Sequence, residues 1–482
     1  MGSRGWIRIV SAACVLVLVA AACSSPPQKK GSKKRTVLMT SYDDSRVGQE
    51  AAVDVSAQVG VLDDPKLNAY VSEIGRKLLR GLPRRSFRYE FAVVDQTEPN
   101  AFALPGGYVF VSRGLLALAI DEDELACVLG HEIVHVNHRH AAAQQGLASR
   151  GISMPWVRAG KNAAYGRDME RDADKGGQIL CAAAGYDPMA MSTFLASLGR
   201  AERSQLGYAR NASFLDTHPG SSERAAVNAV RASEIRWRRD PRLGNTQRSL
   251  YAKIEGLPVG QRPEMGVFRG DLFLHPDLDF QIRFPRGWST SNSNQAVGAA
   301  EPRGEAIVFL TADAPRGEPH EIAEEWAKKT GENQSIDVQG SKHVKVGKID
   351  AWRLQVDSSS RAGKLSSMVT FIPYREATWR VTGMSRASQA ENFLGRTLST
   401  TRSFRPLDAK ERASIVSTKL VIVEARRRES LEALSERTGN TWALAELALA
   451  NSVFIDHRFE GGELVKIVRT SPYVASKEAQ KP

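Results

Sequence analysis

The chain has 482 residues, of which 42% are hydrophobic and 25% are charged, and its formal net charge is +12. This composition is that of an ordinary soluble globular protein, which excludes a wholly disordered chain and a protein with many membrane spans. Because single domains usually hold ~100 to 200 residues, we expect two or three domains.

The first predicted element is a secretory leader. Arg4 and Arg8 precede an uncharged, largely apolar run that extends to Ala22. A positively charged start followed by a short apolar run is typical of export signals. A plain signal peptide and an uncleaved anchor are both alternatives, although the run is short for a membrane span. We interpret residues 1–22 as the signal peptide of a lipoprotein.

The residues around Cys23 resemble the cleavage site of bacterial lipoproteins, where the cysteine becomes the N-terminal residue and is acylated. Three alanines precede Cys23, and residues 23–40 are rich in serine, proline and lysine, as expected of a tether. Cys23 is therefore the predicted lipidation site. Ser24, by resemblance to known sorting signals, favours the outer membrane. We expect an exported protein that is lipid-anchored there and faces the periplasm.

The rest of the chain divides by its patterns into three segments, and the predicted fold class is α+β multidomain. Residues 41–265 hold every chemical motif and predict a mainly helical domain with a small β-hairpin. Residues 266–407 show strands with period-two alternation and predict an α+β domain of unknown role. Residues 408–472 contain a strand, two short helices and a closing strand. This order resembles the LysM module, a small βααβ fold that binds amino-sugar polymers.

A histidine pair marks the predicted active centre. Residues 131–135 read His-Glu-Ile-Val-His. On a helix, His131 and His135 share one face, so that both imidazoles reach a single ion. Asp121 followed by Glu124 is a capping-box pattern, which predicts that the helix begins there.

A catalytic zinc needs a third protein ligand and keeps a fourth position for water. The metzincin pattern requires a glycine and a histidine where this chain has His138 and Ala141, so that class is excluded. Glu170 supplies a carboxylate instead. Asp174, one turn later on the same face, is placed to hold a ligand histidine by a hydrogen bond. His138 and His140 are interpreted as surface histidines at a helix end, and not as ligands.

These motifs together resemble metallopeptidase family forty-eight, which includes BepA, HtpX and the CAAX prenyl proteases. The matching motifs are His131 to His135, Glu170 with Ala173-Asp174, Thr217-His218-Pro219, and Glu223-Arg224. The resemblance implies a gluzincin-type zinc peptidase domain, in which one Zn2+ per chain is held by His131, His135 and Glu170. It also implies that His218 stands at the mouth of the site as a catalytic residue. Arg224, in the last of these motifs, is predicted to contact the substrate, and its alternative role is that of an ordinary solvated arginine.

The expected reaction is hydrolysis of a peptide bond. Zinc would lower the pKa of its water and polarise the scissile carbonyl, while Glu132 would pass the proton of that water to the leaving amine. His218 would either donate a hydrogen bond to the oxyanion or occupy the open zinc position in a latent state. An extended substrate would pair with a strand through backbone hydrogen bonds. The strand predicted for this pairing consists of Tyr108, Val109, Phe110 and Val111. Its alternative role is ordinary sheet core.

Two cysteines, Cys127 and Cys181, are left for structural roles. Cys127 lies one turn before His131, whereas Cys181 lies three turns after Glu170. Antiparallel packing of the two helices would leave the sulfurs roughly 10 Å out of register at about 1.5 Å per residue. We therefore predict buried free thiols.

The leading functional hypothesis is an envelope endopeptidase that cleaves unfolded or misassembled proteins in quality control. One alternative is a chaperone or scaffold with secondary proteolysis, and another is a peptidoglycan-associated protein that binds through residues 408–472. The expected partners are unfolded envelope proteins, the membrane through the N-terminal lipid and, under the last hypothesis, peptidoglycan. Nucleic acid is not an expected partner, because the leader exports the chain and no recognition motif is present.

Overall fold

The computed structural model describes most of the chain after residue 39. The described residues are 40–147, 166–204, 214, 218, 221–333, 336–360 and 363–475. The predicted leader, Cys23 and all of the predicted tether except Thr40 lie outside them. Within the described residues, no helix combines the length and the apolar character that crossing a membrane requires.

The described residues cluster into two compact units. The helical unit comprises the described residues of 34–260 and 417–471, and the sheet unit comprises those of 261–416 and 472–482. Helices and several sheets make up these units, which confirms the predicted α+β multidomain class. The domain limits at residues 265 and 407 stay predictions.

The helical unit begins with two helices whose starts are fixed by side-chain caps. α1 spans Ser41–Gln58, and Thr40 and Asp43 cap its start reciprocally. α2 spans Pro65–Leu79, with Asp64 as its cap and a proline at the first helical position. The buried apolar face of α2 consists of Leu67, Tyr70, Val71, Ile74, Leu78 and Leu79. This face belongs to the core that α2 shares with the sheet that follows.

A three-stranded sheet comes next. β1 spans Glu90–Val94, β2 spans Ala101–Leu104 and β3 spans Tyr108–Ser112. The strand order is β1-β3-β2, with β1 parallel and β2 antiparallel to β3. A tight turn at Pro105–Gly107 joins β2 to β3, and Gly106 suits it because its φ is 83°. The small hairpin is therefore formed by β2 and β3, and β1 joins it through a parallel pairing.

Helices make up the following part of the unit. They are α3 (Arg113–Leu118), α4 (Glu122–Asn137), α5 (His140–Leu147), α6 (Arg167–Ala183), α7 (Ala190–Ser204), α8 (Ser221–Glu234) and α9 (Thr246–Ile254). α4 is buried from Glu122 to Val136, so it lies at the centre of the unit.

α4 and α6 approach closely because each presents a glycine where they cross. A Cβ atom on Gly177 would lie 2.8 Å from the backbone nitrogen of His131. A Cβ atom on Gly130 would lie 2.9 Å from the carbonyl oxygen of Gly177. Since no side chain fits at these distances, both positions need glycine, and this contact sets the register of the two antiparallel helices.

Cys127 and Cys181 form a disulfide, which corrects the prediction of free thiols. Their Cα atoms are 5.2 Å apart, and both residues are buried. The prediction was wrong because it aligned the two helices on the predicted metal ligands. The register is set instead by Gly130 and Gly177. Cys127 lies three residues before the first glycine and Cys181 four residues after the second, so the two cysteines are level.

The sheet unit is built on two sheets with antiparallel neighbours. Its strands are β4 (Val267–Arg269), β5 (Leu272–His275), β6 (Phe280–Arg283), β7 (Ser289–Asn292), β8 (Val297–Ala300), β9 (Ala306–Pro315), β10 (Ile336–Val346), β11 (Ile349–Ser360), β12 (Gly363–Tyr374), β13 (Ala377–Arg386) and β14 (Arg405–Pro406). One sheet has the order β14-β6-β5-β4, and the larger has the order β10-β11-β12-β13-β9-β8-β7. Its helices are α10 (Pro319–Asn333), α11 (Ala390–Arg402) and α12 (Ala409–Ala413).

Helices cover both faces of the larger sheet. α10 packs on one face, over a cluster that includes Leu354, Val369 and Phe371. α11 packs on the opposite face, where Gly383 of β13 makes room for Thr397. Alternation along each strand thus supplies an apolar layer to each helix.

The last segment of the chain belongs to the helical unit. It consists of β15 (Val416–Glu424), α13 (Leu431–Thr438), α14 (Leu444–Ala450) and β16 (Leu464–Pro472), with β15 and β16 in one two-stranded sheet. Lys466 of β16 is buried. Its Nζ donates hydrogen bonds to the carbonyl oxygens of Ala117, Leu118 and Ala119, at 2.8, 3.0 and 2.8 Å. The segment is therefore fastened to the end of α3, directly before α4.

Candidate metal centre

α4 carries the two predicted histidine ligands on one buried face. Asp121 caps its start by accepting a hydrogen bond from the N–H of Glu124 at 2.9 Å, and Glu124 accepts one from the N–H of Ile120 at 3.0 Å. The Nε2 atoms of His131 and His135 are 3.0 Å apart. The spacing of four residues therefore makes the two rings converge on one point.

The third predicted ligand comes from α6. Glu170 Oε2 lies 3.6 Å from His131 Nε2, and Glu170 Oε1 lies 3.5 Å from His135 Nε2. All three side chains are buried. The structure thus brings two imidazole nitrogens and a carboxylate together in the interior.

His218 lies inside this group, and not at its mouth as the resemblance implied. Its Nδ1 is 2.9 Å from Glu170 Oε1 and 3.2 Å from His131 Nε2. Its Nε2 is 3.5 Å from Glu132 Oε1, and Phe214 stacks on the ring with the centroids 4.2 Å apart. His218 therefore offers a fourth ligand atom to the same point.

A layer of polar side chains holds the ligands in place. Asp174 Oδ1 lies 3.0 Å from His131 Nδ1. Arg224 donates hydrogen bonds to both carboxylate oxygens of Asp174, at 2.9 and 2.6 Å, and lies 2.8 Å from Glu170 Oε2. Asn228 donates a further bond to Asp174 at 2.9 Å. Burial alone would raise the pKa of Asp174, but the hydrogen bonds from Arg224 and His131 outweigh burial and lower it. Asp174 therefore stays ionised and keeps the His131 proton on Nδ1, with the Nε2 lone pair directed at the site.

Burial governs the protonation of the other groups. It lowers the pKa of His131, and it holds the pKa values of His135 and His218 well below their usual range. It also raises the pKa of Glu170 to about 7 and that of Glu132 well above its usual value. The three imidazoles are therefore neutral at neutral pH and present lone pairs.

The donor set fits a divalent transition metal. Two neutral imidazoles and one carboxylate are the protein ligands of one class of catalytic zinc site, which keeps a fourth position open. Ligand atoms placed tetrahedrally at about 2.0–2.2 Å from an ion lie about 3.4 Å from one another. The separations of 3.0, 3.5 and 3.6 Å among His131, His135 and Glu170 are close to this value.

The comparison with known families identifies the domain that carries this centre. Residues 65–231 match the model of Peptidase family M48, and this range includes His131, His135, Glu170 and His218. The chain carries an M48 peptidase domain. A peptidase domain of this family implies a catalytic metal, which the residues of the site are arranged to hold.

Curated relatives of the M48 domain are named as proteases. The mitochondrial metalloendopeptidase OMA1 of Schizosaccharomyces pombe is 31% identical over 200 residues, which cover 38% of this chain and 58% of that protein. The beta-barrel assembly-enhancing protease of Escherichia coli is 30% identical over 203 residues, which cover 36% of this chain and 41% of that protein. The chain thus spans about half the length of these relatives. Their names support a metalloprotease role for the M48 domain.

Arg224 is not available to a substrate, which corrects its predicted role. The residue is buried, and its guanidinium binds Asp174, Glu170 and the carbonyl oxygen of His218, the last at 3.0 Å. A guanidinium so placed neutralises two buried carboxylates and fixes their orientation. The motif located Arg224 in the site, but the direction of its side chain depends on the packing of α8 against α6.

The strand predicted to pair with substrate, residues 108–111, is the central strand β3 of its sheet. It pairs with β1 on one side and with β2 on the other, so its backbone groups are already used and the prediction was wrong. Within the described residues, β2 pairs only with β3 and is an edge strand. β2 contacts α4, the helix that carries Glu132.

Sequence reasoning missed a buried histidine beside the site. His140 was predicted to lie on the surface, but it is only 7% exposed, and its Nδ1 lies 3.0 Å from His135 Nδ1. His138, in contrast, is about half exposed. The chain turns at Arg139, whose φ is 54°, and this turn folds His140 back against α4. The signal that could have revealed this contact is the presence of a histidine five residues after the ligand His135.

Proposed function

We propose that this chain is a zinc metalloendopeptidase that cleaves unfolded or misassembled proteins of the bacterial envelope. The proposal rests on the buried convergence of His131, His135 and Glu170, with Glu132 directly beside the first ligand in the sequence. The M48 domain and the metalloendopeptidase relatives support it.

The residues of the site have two roles in hydrolysis, metal binding and proton transfer. His131, His135 and Glu170 hold the ion. When bound, zinc supplies a positive charge that lowers the pKa of a water molecule and polarises the scissile carbonyl. Glu132 takes a proton from the attacking water and delivers it to the leaving amine.

We assign substrate pairing to β2, the edge strand. An extended peptide that adds to this edge is held by main-chain hydrogen bonds, which depend little on its side chains. The contact of β2 with α4 brings such a peptide near Glu132. This mode of binding suits unfolded proteins of varied sequence.

The position of His218 supports a latent state. Its Nδ1 lies among the ligand atoms, where an active catalytic zinc site keeps a place for water. Cleavage then requires His218 to withdraw, so its replacement by alanine should favour the active state.

We also propose that Cys23 is lipidated and that the protein is anchored to the outer membrane, facing the periplasm. The leader and the residues around Cys23 support this location. The disulfide between Cys127 and Cys181 agrees with it, because disulfides persist in oxidising compartments such as the periplasm. One relative is named for enhancing β-barrel assembly, which favours envelope proteins as substrates.

The test compares residues 24–482 of the wild type with Glu132→Gln and His218→Ala on unfolded casein, and measures bound zinc in each. We expect zinc in all three proteins and cleavage by His218→Ala at least as fast as by the wild type. Glu132→Gln should lose about 10²- to 10⁴-fold in rate, since its amide cannot take the proton. Absence of zinc from all three would overturn the site assignment, and cleavage by Glu132→Gln would overturn the role of Glu132.

A second candidate function is peptidoglycan binding by residues 408–472. Their strand-helix-helix-strand order supports the LysM-like interpretation, and Phe454, which follows α14, is 79% exposed. Its neighbour Ile455 is 57% exposed, and adjacent exposed apolar side chains of this kind mark a candidate binding surface. Phe454→Ser should weaken binding of the full chain to purified peptidoglycan, and Val474→Ser, at a similarly exposed residue, should not. Unchanged binding in both variants would eliminate this candidate.

A further inference from the structure

His140 contacts the side of His135 that faces away from the metal centre. The His135 ring directs Nε2 at the predicted ligands, and its Nδ1 lies 3.0 Å from His140 Nδ1. The rings are nearly perpendicular, at 79°, with their centroids 4.9 Å apart. Because His140 is buried, this contact is shielded from bulk water.

The chemistry of a ligand histidine decides the direction of the hydrogen bond. An imidazole that binds an ion through Nε2 uses the lone pair of that nitrogen, so its proton is on Nδ1. His135 is then the donor, and His140 accepts with the lone pair of its own Nδ1. A neutral His140 therefore carries its proton on Nε2.

The carboxylate of Asp172, on α6, accepts a hydrogen bond from this Nε2–H. Its Oδ2 lies 3.2 Å from His140 Nε2 and 2.5 Å from His138 Nδ1. Asp172 stands between Glu170 and Asp174 in the sequence. About one turn of α6 thus supplies a ligand and two supporting carboxylates.

We propose that His140, oriented by Asp172, is a positioning residue that holds His135 in the geometry for metal binding. The inference rests on the metal site of the proposed function. His131 receives the same support directly, because Asp174 lies 3.0 Å from its Nδ1. For His135, the carboxylate of Asp172 acts through the imidazole of His140. Partners of this kind fix the tautomer and the orientation of a ligand ring and raise its basicity.

The alternative role for these side chains is a separate metal site. His138, His140 and Asp172 offer ligand atoms within 4.8 Å of one another. The proton on His140 Nε2 argues against this role, because that nitrogen then has no lone pair for a second ion. An experiment must therefore count bound ions as well as measure affinity.

The test uses the full mature chain and measures zinc affinity by competition with a chromophoric chelator, together with the number of ions per chain. His140→Leu removes the acceptor, and its affinity should fall about 10- to 100-fold. His140→Asn keeps an oxygen near the position of Nδ1 and should recover most of that loss. His138→Ala is the matched control, and it should keep the affinity and the stoichiometry of the wild type.

The outcomes separate this inference from the proposed function. Equal affinity of the wild type and His140→Leu would overturn the inference and leave the metal site intact. Equal losses in His140→Leu and His140→Asn, with both folded by circular dichroism, would also overturn it, because the acceptor would then be irrelevant. If His140→Leu does not fold, His140→Asn decides, with near wild-type affinity supporting the inference and a 10-fold loss opposing it. A second ion that His138→Ala loses would establish the separate site instead. A wild type that binds no zinc would refute the proposed function itself.

Discussion

The helical unit and the sheet unit bury polar side chains of different kinds. α4 of the helical unit buries carboxylates and imidazoles, namely Glu122, Asp123, Glu124, His131, Glu132 and His135. β12 and β13 of the sheet unit bury mainly hydroxyls, namely Ser367, Thr370, Thr378, Thr382 and Ser385. An ionisable group costs far more to bury than a hydroxyl does. The concentration of such groups on one helix therefore indicates that α4 is under functional constraint.

Among the described residues, each unit buries two arginines, Arg113 and Arg224 in the helical unit and Arg353 and Arg380 in the sheet unit. The partners of Arg224 and Arg380 differ. Arg224 of the helical unit binds two carboxylates that are both buried. Arg380 of the sheet unit binds one carboxylate, Asp313, whose side chain keeps 14% of its exposure. The comparison predicts that a charge network around a metal centre is more sensitive to the loss of one member than a simple pair is.

The largest expected effect comes from removing these arginines in turn. Arg224→Met should lower the free energy of unfolding of the metal-free protein by about 3–5 kcal/mol, because it leaves two buried carboxylates without their cation. Arg380→Met should cost less, about 1–3 kcal/mol, since Asp313 can reach solvent. Urea unfolding of the two variants gives both values. An equal loss of unfolding free energy in the two variants would contradict the predicted difference between Arg224 and Arg380.

Removal of the disulfide is the next largest change. Cys127 and Cys181 are 54 residues apart, and closing a loop of that length stabilises a protein by about 4 kcal/mol in the chain-entropy account. The double variant with serine at both positions should lose about this amount in urea unfolding. Thiol titration of residues 24–482 in denaturant should find no thiol before reduction and two after it. Two thiols before reduction would restore the prediction of free cysteines.

The metal ligands could be predicted from local spacing, whereas the side chains that hold the ligands in place could not. His131 and His135 share a helix face whatever the tertiary fold, so their convergence follows from the sequence alone. The side chain of Arg224 turns inward because α8 packs beside α6, and no local pattern records that contact. His140 is buried by a single left-handed residue at Arg139, which periodicity does not reveal.

The fold, like the site, could be predicted only in those features that depend on local sequence. Alternation of polar and apolar residues was enough to predict strands and the α+β class. The order of the strands depends on contacts between distant segments, so the sequence did not decide between the two predicted roles of β3, and the structure places it at the centre of its sheet. The disulfide was missed because the register of α4 and α6 is set by Gly130 and Gly177, which in a sequence appear only as weak helix formers.

The glycine contact itself gives a smaller and more local test. Gly177→Ala should cost about 1–3 kcal/mol of stability, because its Cβ would meet the backbone of His131. The displacement of His131 should also weaken zinc binding. Gly395 of α11 is the matched control in the sheet unit, since a Cβ there meets nothing within 4 Å, and Gly395→Ala should stabilise its helix by up to about 1 kcal/mol. Two results would contradict the assigned role of the helix crossing. One is weaker zinc binding in Gly395→Ala, and the other is unchanged zinc binding in Gly177→Ala.

The smallest expected effect is a pH dependence that belongs to the sheet unit. Burial lowers the pKa of His275 to about 4, whereas an unfolded histidine titrates near 6.5. Between these values the unfolded chain binds a proton that the folded chain does not, so the contribution of His275 is complete above pH 6.5 and falls as the pH falls toward 4. Lowering the pH from 7.5 to 5.5 should cost about 1 kcal/mol through this group. His275→Gln should remove that part of the dependence in urea unfolding, while His343→Gln, at an exposed histidine of the same unit, should retain it. Because His275 lies outside the M48 domain, neither change should alter zinc affinity, and an altered affinity would mean that the two units are not independent.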